Sequence, residues 1–375
     1  LHIVGSVDVY KRQEEETVIN LTVKPGMKQG WFGNAYGGYG SKDRYEGNAM
    51  VNRFVNNDQI TFMGGANNTN NMGFSDLAST MFSGMGGGGG RRGGFGAGSG
   101  ITSSGNAGLN FSKEFKPDKL TLGGNTRYSH SDNDARSKSD RQNILPGDSS
   151  SYDNSEAMSR TKSDNFGVDF RLEWKPDTMT QLIFRPSFSF SHSMNDNFSD
   201  ATTLDNERDT VNTNKSSNYS ESNGYNLNAS IDFSRKLNNK GRVFSATLSG
   251  GNSDSYSDGM NRSDIVYFNQ TDALKNSIID QRSRYDNKGF NYRAYVSWVE
   301  PIGHNNFIQA TYSISQRKQE ALKNVYNQDA DGIYNVLDSA YSQSYRNNFI
   351  SQRASLSFKS QRAKFNYTIG LNLDP

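Results

Sequence analysis

Several features that mark other classes of protein are missing from this sequence. It has no cysteine, which fits an oxidising envelope compartment. It has no run of about 18 apolar residues, which excludes a membrane protein built from helices. Its charges nearly cancel, at 41 Lys and Arg against 39 Asp and Glu, which argues against a dedicated nucleic-acid binder.

The residues that are present point to strands. Aromatic residues make up 12% of the chain, a high value for a disordered sequence, although serine and asparagine are abundant. The run 181–194 alternates, with Leu182, Phe184, Phe188 and Phe190 on one side and mostly serine on the other. Runs 165–174 and 365–373 repeat this pattern. Because successive strand side chains point to opposite faces, each run has one apolar and one polar face.

Short turns recur at a pitch of about 60 residues, and long polar segments separate them, as in an outer-membrane barrel. The predicted short turns lie at 56–58, 116–119, 175–177, 237–240, 300–303 and 359–361. The predicted long outer loops lie at 68–100, 132–163, 195–221, 255–287 and 318–345. The strand before each short turn ends in an aromatic residue, which predicts an aromatic girdle at one membrane interface. The girdle residues are Phe54, Phe115, Trp174, Phe233, Trp298 and Phe358.

These patterns predict an all-β fold, an antiparallel transmembrane β-barrel with short periplasmic turns and long extracellular loops. The runs of about 9 to 14 residues are long enough to cross a bilayer when tilted, which favours the barrel over a soluble all-β array. About 13 strands are predicted, and that odd number suggests a partial barrel, because single-chain bacterial barrels have even numbers. Pro186 lacks an amide hydrogen, so we expect a local irregularity in its strand.

Neither end is expected to be native. Residues 7–13 resemble translated sequencing-adapter read-through, and we leave residues 1–13 out of the fold prediction as an expected assembly artefact. The sequence stops directly after a strand. We therefore expect an internal piece of a longer reading frame.

One group of charged side chains falls on the polar side of the predicted strands and is expected to line the lumen, paired or hydrated. Its members are Arg127, Asp169, Arg171, Glu173 and Arg185. The glycine-rich tract 86–100 is predicted to be a flexible extracellular loop, and its Arg91, Arg92 and Phe95 are candidate ligand contacts. An RNA-binding tract and a phosphate-cradling loop are the alternatives, but no Gly-Lys-Ser/Thr follows.

No catalytic residue, metal ligand or cofactor is predicted. His130 and His192 are expected at the outer membrane interface, and the serines beside His192 point to the other face of the strand. Residues 327–332 resemble the start of an EF-hand loop but lack the Glu that calcium requires at the twelfth position. A solvated turn is the favoured interpretation, with calcium binding by the loop as the alternative.

Four segments resemble TonB-dependent outer-membrane receptors, in particular the subgroup of outer-membrane β-barrel proteins with a carboxypeptidase-like regulatory domain. Residues 17–26 (TVINLTVKPG) are similar to that family's last plug strand, with Val23 departing from the pattern. Residues 28–34 resemble its entry into the first barrel strand, and 37–40 with 43–46 resemble its first hairpin. The glycines at 86–90 followed by 100–102 resemble its second extracellular loop.

The resemblance implies a plug inside a 22-strand barrel, with residues 14–28 as the end of the plug and 29–375 as a truncated barrel. It also implies an outer-membrane location in a Gram-negative bacterium. The implied partners are outer-membrane lipid, the TonB complex and a surface lipoprotein, and no nucleic acid is expected to bind. The implied function is energised import of a siderophore, cobalamin, glycan or peptide. A non-transporting structural or adhesive barrel is the alternative, and an enzyme is not expected.

Overall fold

The computed structural model describes residues 29–70, 100–144, 150–268, 277–303, 305–362 and 366–374. Within these ranges no helix has the length and apolarity needed to cross a membrane. The strands are β1 (Gln29–Tyr39), β2 (Tyr45–Val55), β3 (Asp58–Asn67), β4 (Ile101–Lys116), β5 (Leu120–Asn143), β6 (Ser151–Trp174), β7 (Thr180–Leu204), β8 (Thr210–Lys236), β9 (Val243–Tyr267), β10 (Ser277–Pro301), β11 (Asn306–Gln328), β12 (Tyr334–Leu337), β13 (Gln343–Gln361) and β14 (Asn366–Leu373).

All 14 strands belong to one antiparallel sheet. Thirteen of them follow one another across it in chain order, and the short β12 pairs with β11 beside that path. Neighbouring strands in the chain are therefore neighbours in space, which is the arrangement that short connections favour. The predicted all-β, antiparallel architecture is confirmed, with one short strand more than the predicted 13.

The predicted short turns join strand ends at one side of the sheet. The tightest joins β2 to β3 through Asn56 and Asn57, with Val55 paired to Asp58. Asn56 has a φ of 57° and Asp118, in the next short turn, has a φ of 56°. Asparagine and aspartate tolerate this left-handed conformation better than most residues. The last turn was placed too early, because β13 continues through Gln361.

The outer segments differ most from expectation, because much of the sequence predicted as loop continues the strands. Strands β5 to β11 are 23 to 27 residues long. Cross-strand ion pairs help to hold these extensions, as between Lys138 and Glu156 at 2.9 Å and between Arg160 and Asp132 at 2.7 Å. Opposite charges on facing strands stabilise such pairing, so segments rich in Ser, Asn and Asp remain in the sheet.

The strand register gives the sheet two chemically distinct faces. We call the apolar face the one that carries Phe188, whose cross-strand partners are Val168 and Leu227. We call the polar face the one that carries Ser187, which pairs with Asp169 on one side. Both names extend to all residues of the same alternation. The predicted period-two pattern therefore continues across neighbouring strands, as it must when their register is fixed.

The polar face is the concave one. Thirteen residues other than glycine are buried in the described ranges, and twelve of them lie on the polar face. They include Asn52 at 0% and Thr61 at 1% exposure. Large apolar side chains such as Phe188 and Leu227 on the other face are 39% and 49% exposed. Since the described residues form no second layer over either face, this asymmetry means that the sheet curves around its small polar residues.

Pro186 interrupts the sheet on one side, as expected. The pairing of β6 with β7 runs to Asp169 opposite Ser187 and resumes at Leu172 opposite Phe184. On the other side of β7, Pro186 stays in register with Ala229. Since proline has no amide hydrogen to donate, one side of the ladder opens while the other is retained.

The tight β2–β3 turn gives a direct test of the observed backbone. Replacing Asn56 with alanine should lower the free energy of unfolding by about 1 kcal/mol, because alanine is disfavoured at positive φ. The change Asn56→Gly should restore or exceed the original stability, since glycine adopts this conformation freely. Urea refolding titrations of both variants in lipid measure this. Equal losses in both variants would contradict the assigned turn.

Candidate functional site

An apolar band crosses the apolar face near the short turns. On β7 it covers residues 182–190, with Leu182, Phe184, Phe188 and Phe190 on that face. On the neighbouring strands it continues through Phe166, Val168, Leu172 and Trp174, and through Leu227, Ile231 and Phe233. About 9 to 11 residues of a tilted strand cross the hydrocarbon of a bilayer, so the height of this band matches a membrane.

Four predicted girdle residues lie on the lower edge of this band, beside the short turns. They are Trp174, Phe233, Trp298 and Phe358. Phe115 lies at a bulge near the end of β4, with the Lys113 ammonium 5.3 Å from its ring centre. Indole and phenyl rings at this level suit the boundary between lipid tails and headgroups. The assignment of these five residues to a membrane girdle stays a prediction.

Phe54 is the exception, and its predicted place on the same face is wrong. It pairs with Gln59 and shares the polar face with Asn52 and Thr61. Its ring stacks on Phe32, with centroids 5.4 Å apart. The apolar face at this position carries Trp31 and Arg53.

A second aromatic row at the upper edge of the band was missed by the sequence analysis. Tyr128, Phe166, Phe190 and Tyr225 follow one another in register across β5 to β8. Their alignment depends on three strand pairings, so no single segment of sequence contains the signal. Rings at both edges of one apolar band are typical of a strand wall that crosses a bilayer.

Charged residues replace apolar ones directly above this row. His130 and His192 both lie opposite Asp164, and His130 Nδ1 is 2.8 Å from its carboxylate. The His192 Nδ1 contacts Asn223 Oδ1 at 2.8 Å. On β4, the serine of this face that lies nearest to His130 is Ser103. Its hydroxyl contacts the Tyr45 hydroxyl at 3.1 Å.

The predicted lumen residues share the polar face, and three of the five line a hollow of about 360 Å³. All five lie in the polar-face alternation of β5, β6 and β7. Asp169, Arg171 and Arg185 line the hollow. Asn291 on β10 and small residues of β5, β8 and β9 are also part of its lining. The side chains of Ser, Gly and Asn leave the space that the longer arginines occupy.

Each of these charges has a partner on the polar face. Arg127 pairs with Asp169 at 2.6 Å, and Arg171 pairs with Glu173 at 3.0 Å. Arg185 pairs with Asp232 on β8, which also accepts a hydrogen bond from Thr247 at 2.8 Å. Because burial of charge is tolerated when the charges are paired, the cluster is suited to a structural lining.

Asp329, one of the candidate calcium ligands, closes a turn between β11 and β12. Its Oδ1 accepts the backbone amides of Asp331 and Ile333, each at 2.9 Å, and its Oδ2 accepts Asn335 Nδ2 at 2.5 Å. The amide of Ile333 is the main cause that holds the pKa of Asp329 below its ordinary value. Both oxygens thus serve the turn, and no group of three or more potential metal ligands occurs in the part of the chain that is described.

The remaining predictions fall partly outside the described residues. Arg91, Arg92 and Phe95, proposed as ligand contacts, lie there, as do residues 1–13, the plug-like segment 17–26 and the glycines at 86–90. The first hairpin of the family resemblance is described. Strand β1 ends at Tyr39 and β2 begins at Tyr45, and they pair along their whole length.

Comparison with known proteins gives matches among solved structures alone. No family model matches the sequence, and no curated protein matches it. The chain is similar to the ferric-catecholate import receptor Fiu from E. coli K12, with 9% identity, a TM-score of 0.35 and coverage of 92% of this chain and 66% of that one. It is also similar to the alcaligin outer-membrane receptor FauA from Bordetella pertussis, with 10% identity, a TM-score of 0.18 and coverage of 92% and 61%.

A third similar structure is the FrpB iron transporter from Neisseria meningitidis, with 7% identity, a TM-score of 0.18 and coverage of 93% of this chain and 81% of that one. The chain thus spans less than two thirds of the length of FauA. At these values the likeness carries no functional argument.

The turn at Asp329 leads to a prediction about pH. A carboxyl whose folded pKa is lowered stabilises the structure above its unfolded pKa of about 3.9, and this contribution is lost as the pH falls through the folded pKa. Acidification below about pH 4 should therefore speed hydrogen exchange at the Ile333 amide of the unmodified protein. The same acidification should change this exchange less in an Asp329→Asn variant. The change Asp331→Asn is the matched control and should keep the acid effect. An unchanged acid effect in Asp329→Asn would contradict the role given to Asp329.

Proposed function

We propose that this chain is part of the wall of an outer-membrane receptor of the TonB-dependent type in a Gram-negative bacterium. Its apolar face contacts lipid and its polar face lines the lumen. The observation that carries the proposal is the apolar band at 182–190, which has aromatic rows at both edges and small polar residues on the opposite face. A soluble sandwich would cover such an apolar face with a second sheet.

The mechanism is a transport cycle without a chemical step. The strand extensions above the band capture a ligand outside the cell, and a plug then rearranges when the TonB complex pulls from the periplasm. The family resemblance assigns residues 14–28 to the end of that plug, and the described strands from Gln29 onward form the wall. Outer-membrane lipid and the TonB complex are the partners, with a surface lipoprotein as a further partner.

Sequencing the complete gene tests the receptor architecture. A frame that encodes a signal peptide, a TonB box and a plug before residue 29, and about 22 strands in total, is the expected result. A frame that opens with a signal peptide directly before Trp31 would remove the plug, and a structural or adhesive barrel would then replace the receptor.

The assignment of faces predicts the effect of a buried charge in lipid. An arginine in place of Phe188 should cost about 2–4 kcal/mol, the usual range for arginine at the bilayer midplane of a barrel wall. The same change at Ser187 should cost little, because that position faces the lumen beside Asp169. Refolding titrations of both variants into lipid vesicles measure the difference. Equal costs at the two positions would defeat the proposed orientation.

A further inference from the structure

The polar face of three neighbouring strands, β10, β11 and β13, is basic. It carries five cationic side chains and no carboxylate from these strands, and the five are Arg293, Arg317, Lys323, Arg353 and Lys359. The apolar face of the same strands is nearly balanced, with Arg282, Arg284, Lys288, Lys318 and Arg346 against Asp280, Asp286, Glu300 and Glu320. The excess of positive charge therefore belongs to one face and not to these strands as a whole.

Two of the arginines lie close together at the centre of this surface. Arg317 on β11 pairs with Asn291 on β10, and Arg293 is two residues further along β10 on the same face. Such diagonal neighbours on adjacent strands are about 7–8 Å apart. Small residues lie directly across from Arg293, namely Ser315 and, one strand further, Ser351. Both guanidinium groups are exposed, so a molecule on this face could reach both.

These two arginines have no carboxylate partner among the described residues. Arg317 donates to the neutral Gln319 Oε1 at 3.3 Å. Asp374 is engaged by Arg353 at 2.5 Å, and Asp338 accepts from Gln281 and Asn327 near the outer end of the strands. By contrast, Arg127 and Arg185 on the polar face of β5 and β7 are each paired with an aspartate. The charge at Arg293 and Arg317 is left for another molecule.

Aromatic rings lie beside these cations. Phe349 on β13 pairs directly with Arg317 and is 63% exposed. Tyr295 is two residues from Arg293 on the same face, and Tyr345 lies further out on β13 at 52% exposure.

Phe349 and Tyr345 lie on the part of β13 that precedes its pairing with β14, which covers Ala354–Gln361. Few other rings on the polar face are exposed, among them Phe32 and Tyr36 on β1. The rings beside the two arginines provide an apolar surface next to these positive groups.

We propose that this surface binds an anionic solute with a ring-shaped apolar part, through carboxylate, sulfate or phosphate groups. Arg293 and Arg317 pair with the anionic group, and Phe349 packs against the ring. A guanidinium presents a planar set of donors that matches such oxyanions, and it is hydrated less strongly than an ammonium. A concave wall lined by one sign of charge concentrates its field on the solute. The inference rests on the proposed function, in which the polar face lines the lumen.

The test uses pyranine, a pyrene that carries three sulfonates, and the full-length protein in detergent micelles. Fluorescence anisotropy measures its affinity for the unmodified protein, for the double variant Arg293→Gln/Arg317→Gln and for the matched double variant Lys288→Gln/Lys318→Gln. The two double variants remove the same charge from the same two strands, on opposite faces. Heat-modifiable migration on gels shows whether each protein is folded.

We expect saturable binding of pyranine that weakens with salt, as for any attraction between exposed charges. The polar-face variant should lose about tenfold or more in affinity, and the apolar-face variant should stay within about twofold. The cationic dye rhodamine 6G should bind no better to the unmodified protein than to the polar-face variant.

Equal losses in the two double variants would overturn the site, because they would indicate attraction by net charge alone. Absence of saturable binding to a folded protein would also overturn the site. A segment of the plug that occupies this face would give that result. The receptor proposal would then still stand. A protein that contains all its strands and fails to fold as a barrel in micelles and lipid would overturn both.

Discussion

The whole structure depends on the requirement that backbone hydrogen bonds be satisfied within the sheet. In lipid no water is available to the amide and carbonyl groups, so a strand that crosses a bilayer must pair on both sides. Eleven of the described strands, β2 to β11 and β13, have a partner on both sides in one continuous antiparallel path. The fixed register that results places every second residue on the same face, and it is this alternation that separates an apolar surface from a polar one.

The two faces are built from different kinds of residue because they meet different environments. On the polar face, small side chains let the sheet curve and leave room for a few long charged ones, as in the hollow between Arg171 and Arg185. On the apolar face, Phe, Leu and Trp stay exposed on the convex side over a height that suits a bilayer. Above this band both faces become polar, and cross-strand pairs such as Arg282 with Asp258 at 2.6 Å help to hold the extensions.

How much could be predicted from the sequence depended on how local each signal was. The alternation at 181–194 is unambiguous within one strand, so its faces were predicted correctly, and the break at Pro186 follows from its missing amide hydrogen. Phe54 was misplaced because apolar residues occupy both alternations of β2, with Val51 and Val55 on one and Met50 and Phe54 on the other. Only the register with β3 decides between them.

The outer segments could not be predicted as strands because their composition favours turns. Ser, Asn, Asp and Gly are turn formers, and their strand conformation depends on partners that are far away in the sequence. The pairing of Asp132 with Arg160, 28 residues later, illustrates this. The upper aromatic row and the basic surface around Arg293 and Arg317 were missed for the same reason, since each appears only when several strands are aligned.

The measurement that tests the central claim most directly is nitroxide scanning of 181–194 in lipid vesicles, one cysteine at a time. The chain has no cysteine of its own, so no background label needs to be removed. We expect contact with dissolved oxygen to be greatest for labels at Leu182, Phe184, Phe188 and Phe190. Labels at the intervening positions should contact an aqueous nickel complex instead. The opposite alternation, or no alternation, would contradict the assignment of this sheet to a membrane wall.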